Sequence, residues 1–258
     1  MRGRQIVTIA RFTLLEATRI RLWWLFALIL AIACGAAWFV QQVAITESAR
    51  IQTAFLAATV RLAAVFVLSL HVLTSIVREF NDKGLELTLS FDLQRGDYVL
   101  GRLLGFFLVA LLIALLATLP QFALAPPLPA LQWGLSLACE LAIMAALSLF
   151  CIMTFTQLMP AANFVLGFYL LARTLTAIRL IGAAPSTNGD MLSHRMMSWL
   201  VEGLALVLPA FDRYTQSAWL IGDNAASWSA SAILAAQAAL YTILLGAATM
   251  FDFHRRNL

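Results

Sequence analysis

The side chains that could carry chemistry in this chain are few, and their spacing excludes several reactions. The single lysine, Lys83, is followed by Gly84-Leu85 and preceded by no glycine-rich loop. A phosphate-cradling P-loop needs a lysine directly after its glycines, so the chain is not expected to bind or hydrolyse a nucleotide itself. His71, His194 and His254 are scattered, and neither an HExxH run nor a CxxC pair occurs, so the spacings of zinc sites are missing. Cys34, Cys139 and Cys151 fall inside apolar stretches and read as small buried hydrophobes, without a disulfide framework. An enzyme is therefore not expected, nor a cofactor bound by this chain. His194, Met196 and Met197 offer an imidazole beside two thioethers, the soft set that copper(I) favours. In so apolar a chain this grouping is expected mostly by chance, and no metal site is expected.

Three further polar residues lie within apolar sequence. Glu140, Arg173 and His71 each need a partner or a water-lined cavity, because a charge at the centre of a bilayer costs roughly 2.5–3.5 kcal/mol on insertion scales. Glu140 and Arg173 stand at matching depths in consecutive apolar blocks and can pair, either as a bridge between adjacent helices or as a contact for a transported substrate. His71 is expected to be a hydrogen-bonded helix contact. Arg61 and Arg179 lie nearer the block ends, where a long side chain can snorkel to the surface.

The elements that must position these groups follow from composition. Of 258 residues, 62% are hydrophobic and 12% charged, against roughly 45–50% and about 25% in an average soluble domain. The apolar residues form long blocks, and about 20 residues at 1.5 Å rise match a hydrocarbon core of about 30 Å. Six spans are predicted, at about 22–43, 54–77, 103–125, 131–158, 161–182 and 228–251. Strand periodicity is absent, and helices satisfy their own backbone groups in lipid. The net charge of +4 reads as a topology and lipid signal, and no nucleic-acid partner is expected. Ala31-Ile32-Ala33-Cys34 is weakly similar to a lipoprotein cleavage site, but apolar sequence continues through Val40, so it reads as mid-helix.

Eleven of the seventeen basic residues fall in the N-terminal segment, the connection between spans two and three and the C-terminal tail, against six elsewhere. Basic residues stay on the cytoplasmic side, which places both termini there. Residues 4–21 have helical periodicity, with Arg4, Thr8, Arg11, Thr18 and Arg19 on one side and Ile6, Ile9, Phe12, Thr13, Ala17 and Ile20 on the other, as expected of an amphipathic interfacial helix. Glu16 falls near the apolar side, as a partner for Arg19 or as a contact to another helix or subunit. In the outer segment 183–227, the run Trp199–Leu208 is too short to span and reads as a re-entrant or interfacial helix. The fold expected is a single all-α integral membrane domain.

The densest charged stretch, 78–102, contains Glu79, Asp82, Gly84, Leu85, Glu86, Leu89, Ser90, Arg95, Leu100, Gly101 and Arg102. In order, all of these but Asp82 resemble the cytoplasmic loop of type-2 ABC-exporter permeases: an acidic residue, Gly-small-Leu-Glu, Leu-Leu-Ser, a basic residue, then Leu-Gly-Lys entering the third span. Arg102 stands in place of that lysine and Asp92 where a proline is usual. The resemblance extends to six spans, a basic helix before the first, Leu208-Pro209 followed by Phe211, and a basic tail at His254 to Arg256.

The resemblance implies a permease subunit of an ATP-driven exporter in the bacterial cytoplasmic membrane. It would pair with a second copy or a close relative, within membrane lipid, and bind separate ATPase subunits that hold ATP and Mg. Glu79, Asp82, Gly84, Leu85, Glu86, Leu89 and Arg95 would form the ATPase-coupling segment. A membrane anchor or assembly scaffold that recruits a soluble partner is the alternative, and an ion-driven carrier the third reading.

Overall fold

Uninterrupted apolar sequence leaves the backbone no hydrogen-bond partner but itself, and the chain answers with long helices. The computed structural model describes residues 2–45, 47–82, 95–183, 199, 201–204, 207–222 and 228–255, and no strand occurs among them. Helix α1 covers Arg2–Arg19, α2 Leu22–Val43, α3 Ser48–Asn81, α4 Arg95–Thr118 and the single turn α5 Gln121–Leu124. Then follow α6 Pro127–Phe155, α7 Leu158–Ala183, a 3₁₀ turn Phe211–Arg213, the short α8 Ala218–Ile221 and α9 Trp228–Arg255. Among the described residues six helical stretches are long and apolar enough to cross a bilayer, so the chain is a multi-pass helical membrane protein. One end of the bundle carries α1, the flanks of the 82–95 connection and the end of α9; the other carries the connections that follow α2 and α4 and the segment 209–222. They are called the terminal end and the loop end below.

Helix α6 is the hub, packing on α3, α4, α7 and α9. It opens with Pro127 in its first turn, where the missing N–H costs nothing. It closes at Thr156, which adopts φ 58° and donates its N–H to the Ile152 carbonyl, with Pro160 shortly beyond. By contrast, α2 buries only Leu22, Phe26, Ala33 and Ala37, a narrow stripe against α3. Trp24, Leu28, Ile32, Trp38 and Phe39 on its other sides are exposed, as suits a helix whose outer surface meets lipid.

Several helix bounds differ from the apolar blocks, because a helix continues until its backbone is stopped. The 34 residues of α3 reach about 51 Å at 1.5 Å per residue, well beyond the apolar block 54–77. Helix α4 starts at Arg95, eight residues before its apolar block, with Asp97 in its first turn favourable to the helix dipole. It stops at Thr118 rather than Ala125. Pro120 disfavours helical geometry in the residue before it and offers no N–H of its own; the chain re-forms one turn as α5 before Pro126.

Helix α1 packs on α4. Its buried residues are the small Ala10, Thr13 and Ala17; Thr13 meets Gly105 on α4, and the half-buried Ile9 meets Gly101. A Cβ added at Gly101 would lie 2.8 Å from the Ile9 Cβ, and one at Gly105 would lie 2.5 Å from the Thr13 Cβ. Glycines four apart let two helix backbones approach this closely. Val7, Phe12 and Leu15 remain exposed, interleaved with Arg4, Arg11 and Arg19.

Candidate functional site

Two polar clusters form inside the bundle, one toward each end. The terminal cluster is built by α1, α3 and α4. Arg102 of α4 extends between two carboxylates: its Nη1 is 3.0 Å from Glu16 Oε2, and its Nη2 makes a close ion pair with Glu79 Oε2. Arg102 Nη1 also donates to the Thr13 hydroxyl at 3.1 Å. The Ser75 hydroxyl donates to Glu16 at 2.8 Å, and the Tyr98 hydroxyl donates to Glu79 at 2.8 Å. The Tyr98 ring stacks on Phe253 of α9 at 6.0 Å. A planar guanidinium presents several donors in a fixed fork, which is why one arginine can hold a glutamate from each of two helices.

This network ties both flanks of the 82–95 connection to each other and to α1. Glu79 closes α3 and Arg102 lies two turns into α4, so the connection is anchored on both sides. Of the residues expected to couple to an ATPase, Glu79 is in this network, and Asp82 caps α3 by donating its backbone N–H to the Arg78 carbonyl. Gly84, Leu85, Glu86 and Leu89 lie outside the described residues, as does the side chain of Arg95, whose backbone opens α4. Glu16 engages Ser75 and Arg102 rather than Arg19, so the helix-contact reading of this residue is the one realised. Its place near the apolar side of α1 was the signal in the sequence.

The loop cluster gathers around Thr215, in the segment between Pro209 and Gly222 that packs among α3, α6 and α7. Every polar position of Thr215 is occupied. Its N–H donates to Ser136 Oγ at 3.0 Å, its hydroxyl donates to Glu140 Oε2 at 2.7 Å, and its carbonyl accepts from Arg61 at 3.1 Å. Its Oγ1 also lies 3.3 Å from Arg173 Nη1. Thr215 has φ 45°, a left-handed conformation that is an outlier for a β-branched residue and persists where surrounding bonds over-determine it.

Arg173 and Glu140 do meet, with Arg173 Nη1 3.6 Å from Glu140 Oε1. That separation is too long for a hydrogen bond. Arg173 instead donates to the carbonyls of Phe211, in a close contact, and Tyr214, at 3.1 Å, and to Thr215 Oγ1 at 3.3 Å. Glu140 is fully buried, and Arg173 supplies its charge compensation. The Tyr214 hydroxyl donates to the Leu234 carbonyl at 2.8 Å, which ties the segment to α9. Phe211 packs against Tyr169 of α7 at 5.6 Å. Arg61, expected to snorkel, instead donates inward to this segment; the side chain of Arg179 lies outside the described residues.

His71 belongs to neither cluster. It is buried in α3, its ring edge toward Phe106 at 6.1 Å, and its Nε2 has no hydrogen-bond partner among the described residues. The charged groups acting on it are Glu16, Arg102 and Arg78, so it sits toward the terminal cluster and does not join Glu140. His194, Met196 and Met197 lie outside the described residues, and among those described no group of three His, Cys, Asp or Glu side chains could hold a metal ion. Sequence reasoning missed Thr215, Ser136 and Tyr214, ordinary residues in ordinary contexts; the nearest signal was Pro209 before the aromatic Phe211. No protein-family model matches the chain, and no curated protein matches it either.

Proposed function

We propose that this chain is the membrane subunit of an ATP-driven exporter of the type-2 ABC kind, working with separate ATPase subunits and a second copy or close relative. The observation that carries the reading is the clamp of Arg102 on Glu16 and Glu79. A soluble motor can drive a membrane pathway only through a stiff connection, since a slack loop absorbs displacement without passing it on. Here both flanks of the charged connection are fixed to each other and to α1, so a push on residues 83–94 is delivered to α1, α3 and α4 together. Glu79 and Asp82 flank the contact surface; Gly84, Leu85, Glu86, Leu89 and Arg95 are its proposed contacts.

At the loop end, the Thr215 segment closes the bundle among α3, α6 and α7, and this supports a role as the outer seal of a pathway lined by α3 and α7. Irregular backbone inside a membrane protein is tolerated where protein buries it, and the bonds to Arg61, Ser136, Glu140 and Arg173 meet that condition. In the proposed cycle ATP and Mg act in the partner subunits, the connection moves with them, and the spans shift to release substrate at the loop end. The excess of basic residues at the terminal end supports cytoplasmic termini in a bacterial cytoplasmic membrane, with α1 along its inner surface.

Affinity purification in mild detergent, mass spectrometry of the copurifying proteins and an ATPase assay test the reading. A stoichiometric ATPase is expected. Its absence from a well-folded preparation would sink the exporter reading in favour of the scaffold or the ion-driven carrier.

A further inference from the structure

Helix α1 rests on α4 rather than on α3, and the space left between α1 and the terminal ends of α3 and α4 is an open groove of about 940 Å³. That is within the range of roughly 300–1,000 Å³ typical of pockets for small ligands. Its floor is the ion-pair network, with Glu16, Glu79, Tyr98 and Arg102 among its lining residues. Arg102 compensates both glutamates there. Arg4, Arg19 and Arg78 also line the groove. All three are exposed, and among the described residues none forms an ion pair with a carboxylate. The groove therefore carries four arginines against two glutamates, and its excess positive charge stands at the rim.

The remaining wall is apolar. Phe12 and Leu15 of α1 line the groove while 66% and 53% exposed. Uncovered aromatic and aliphatic side chains beside unpaired arginines suit a ligand with an anionic head and a hydrocarbon tail. Their position at the ends of membrane-crossing helices is the level at which phospholipid headgroups lie, and basic pockets between helices at that level bind anionic headgroups.

We propose that this groove is a binding site for one anionic phospholipid, with the phosphodiester facing Arg19 and Arg78, about one turn beyond the hydrogen-bonded pair Glu16 and Ser75 respectively, and an acyl chain against Phe12 and Leu15. Arg4, about 22 Å from Arg19 along α1, is out of reach of the same phosphate. The lipid fills the gap that α1 leaves beside α3 and so holds α1 in place on α4. The site depends on the membrane placement of the chain and not on whether the chain moves solute, so it stands or falls separately from the exporter reading.

Native mass spectrometry of the full chain, released from micelles titrated with phosphatidylglycerol or with phosphatidylcholine of identical acyl chains, tests the site. The wild type retains phosphatidylglycerol about tenfold or more over phosphatidylcholine, and R19Q and R78Q each weaken phosphatidylglycerol about fivefold, the attraction one basic residue contributes near an anionic surface, whereas R4Q weakens it less. The corresponding lysine variants keep the preference, as does R50Q at the opposite end, and unchanged gel-filtration profiles show that all are folded. Equal retention of the two lipids, or a preference that survives the triple glutamine variant, overturns the proposal. Excess inorganic phosphate that displaces the lipid overturns it in favour of a site for free phosphate. Displacement by soluble poly-glutamate overturns it in favour of an acidic protein partner.

Discussion

The Thr215 hydroxyl donates to the Glu140 carboxylate at 2.7 Å, joining an irregular connecting segment to the single, fully buried acid of the central helix. Among the described residues the ion-pair partner of Glu140 is Arg173, which at 3.6 Å gives charge but no hydrogen bond. The division of labour between threonine and arginine sets the expected consequences of changing either.

Arg173→Met removes the only cation paired with Glu140 among the described residues and frees the Phe211 and Tyr214 carbonyls. Breaking a buried pair from one side costs about 3–5 kcal/mol. Glu140→Gln keeps an acceptor for Thr215 and leaves Arg173 its two carbonyls, so a loss of about 1–3 kcal/mol is expected. Unfolding in mixed micelles titrated with denaturing detergent gives the order; a larger loss for Glu140→Gln would contradict this account.

Thr215→Ser keeps the hydroxyl and is expected to be close to neutral. Thr215→Val keeps the branched shape but strands the Glu140 oxygen, at a cost of about 1–3 kcal/mol. Limited proteolysis between Pro209 and Gly222 should be slow in the wild type and the serine variant and faster in the valine variant. Equal rates in all three would mean that the hydroxyl does not hold the segment.

Gly105→Leu places a side chain where a Cβ alone meets Thr13 at 2.5 Å, and α1 must move off α4. In a background in which Cys34, Cys139 and Cys151 are replaced by alanine, Thr13→Cys should resist maleimide, since Thr13 is fully buried. Adding Gly105→Leu should expose it, raising the labelling rate at least tenfold by our estimate from close-packed burial. Gly35→Leu, where nothing lies within 4 Å of the added Cβ, is the matched control and should leave labelling unchanged.

Cytoplasmic termini are tested in the same cysteine-free background with a membrane-impermeant maleimide. Ile45→Cys, at a position 99% exposed, should react in intact cells. Asn81→Cys and His254→Cys should react only after the membrane is opened. The reverse pattern would invert the proposed orientation and remove the connection 83–94 from the reach of any cytoplasmic motor.

The sequence by itself determined what depends on short-range order. Apolar blocks of membrane-crossing length dictate helices, because each residue's backbone partner lies four residues away in the same block. The matching depths of Glu140 and Arg173 were visible for the same reason: distance along a helix is a count of residues. What the sequence could not fix was the rotation of each helix about its axis and the path of the connections between them. Those are settled only by packing, which is why Glu16 turns toward Arg102 and Ser75 instead of Arg19, Arg61 turns inward instead of toward a surface, and Thr215 becomes the junction of three helices. The two polar clusters are products of tertiary structure, assembled from residues up to 154 positions apart, because a buried charge takes the partner that folding brings to it.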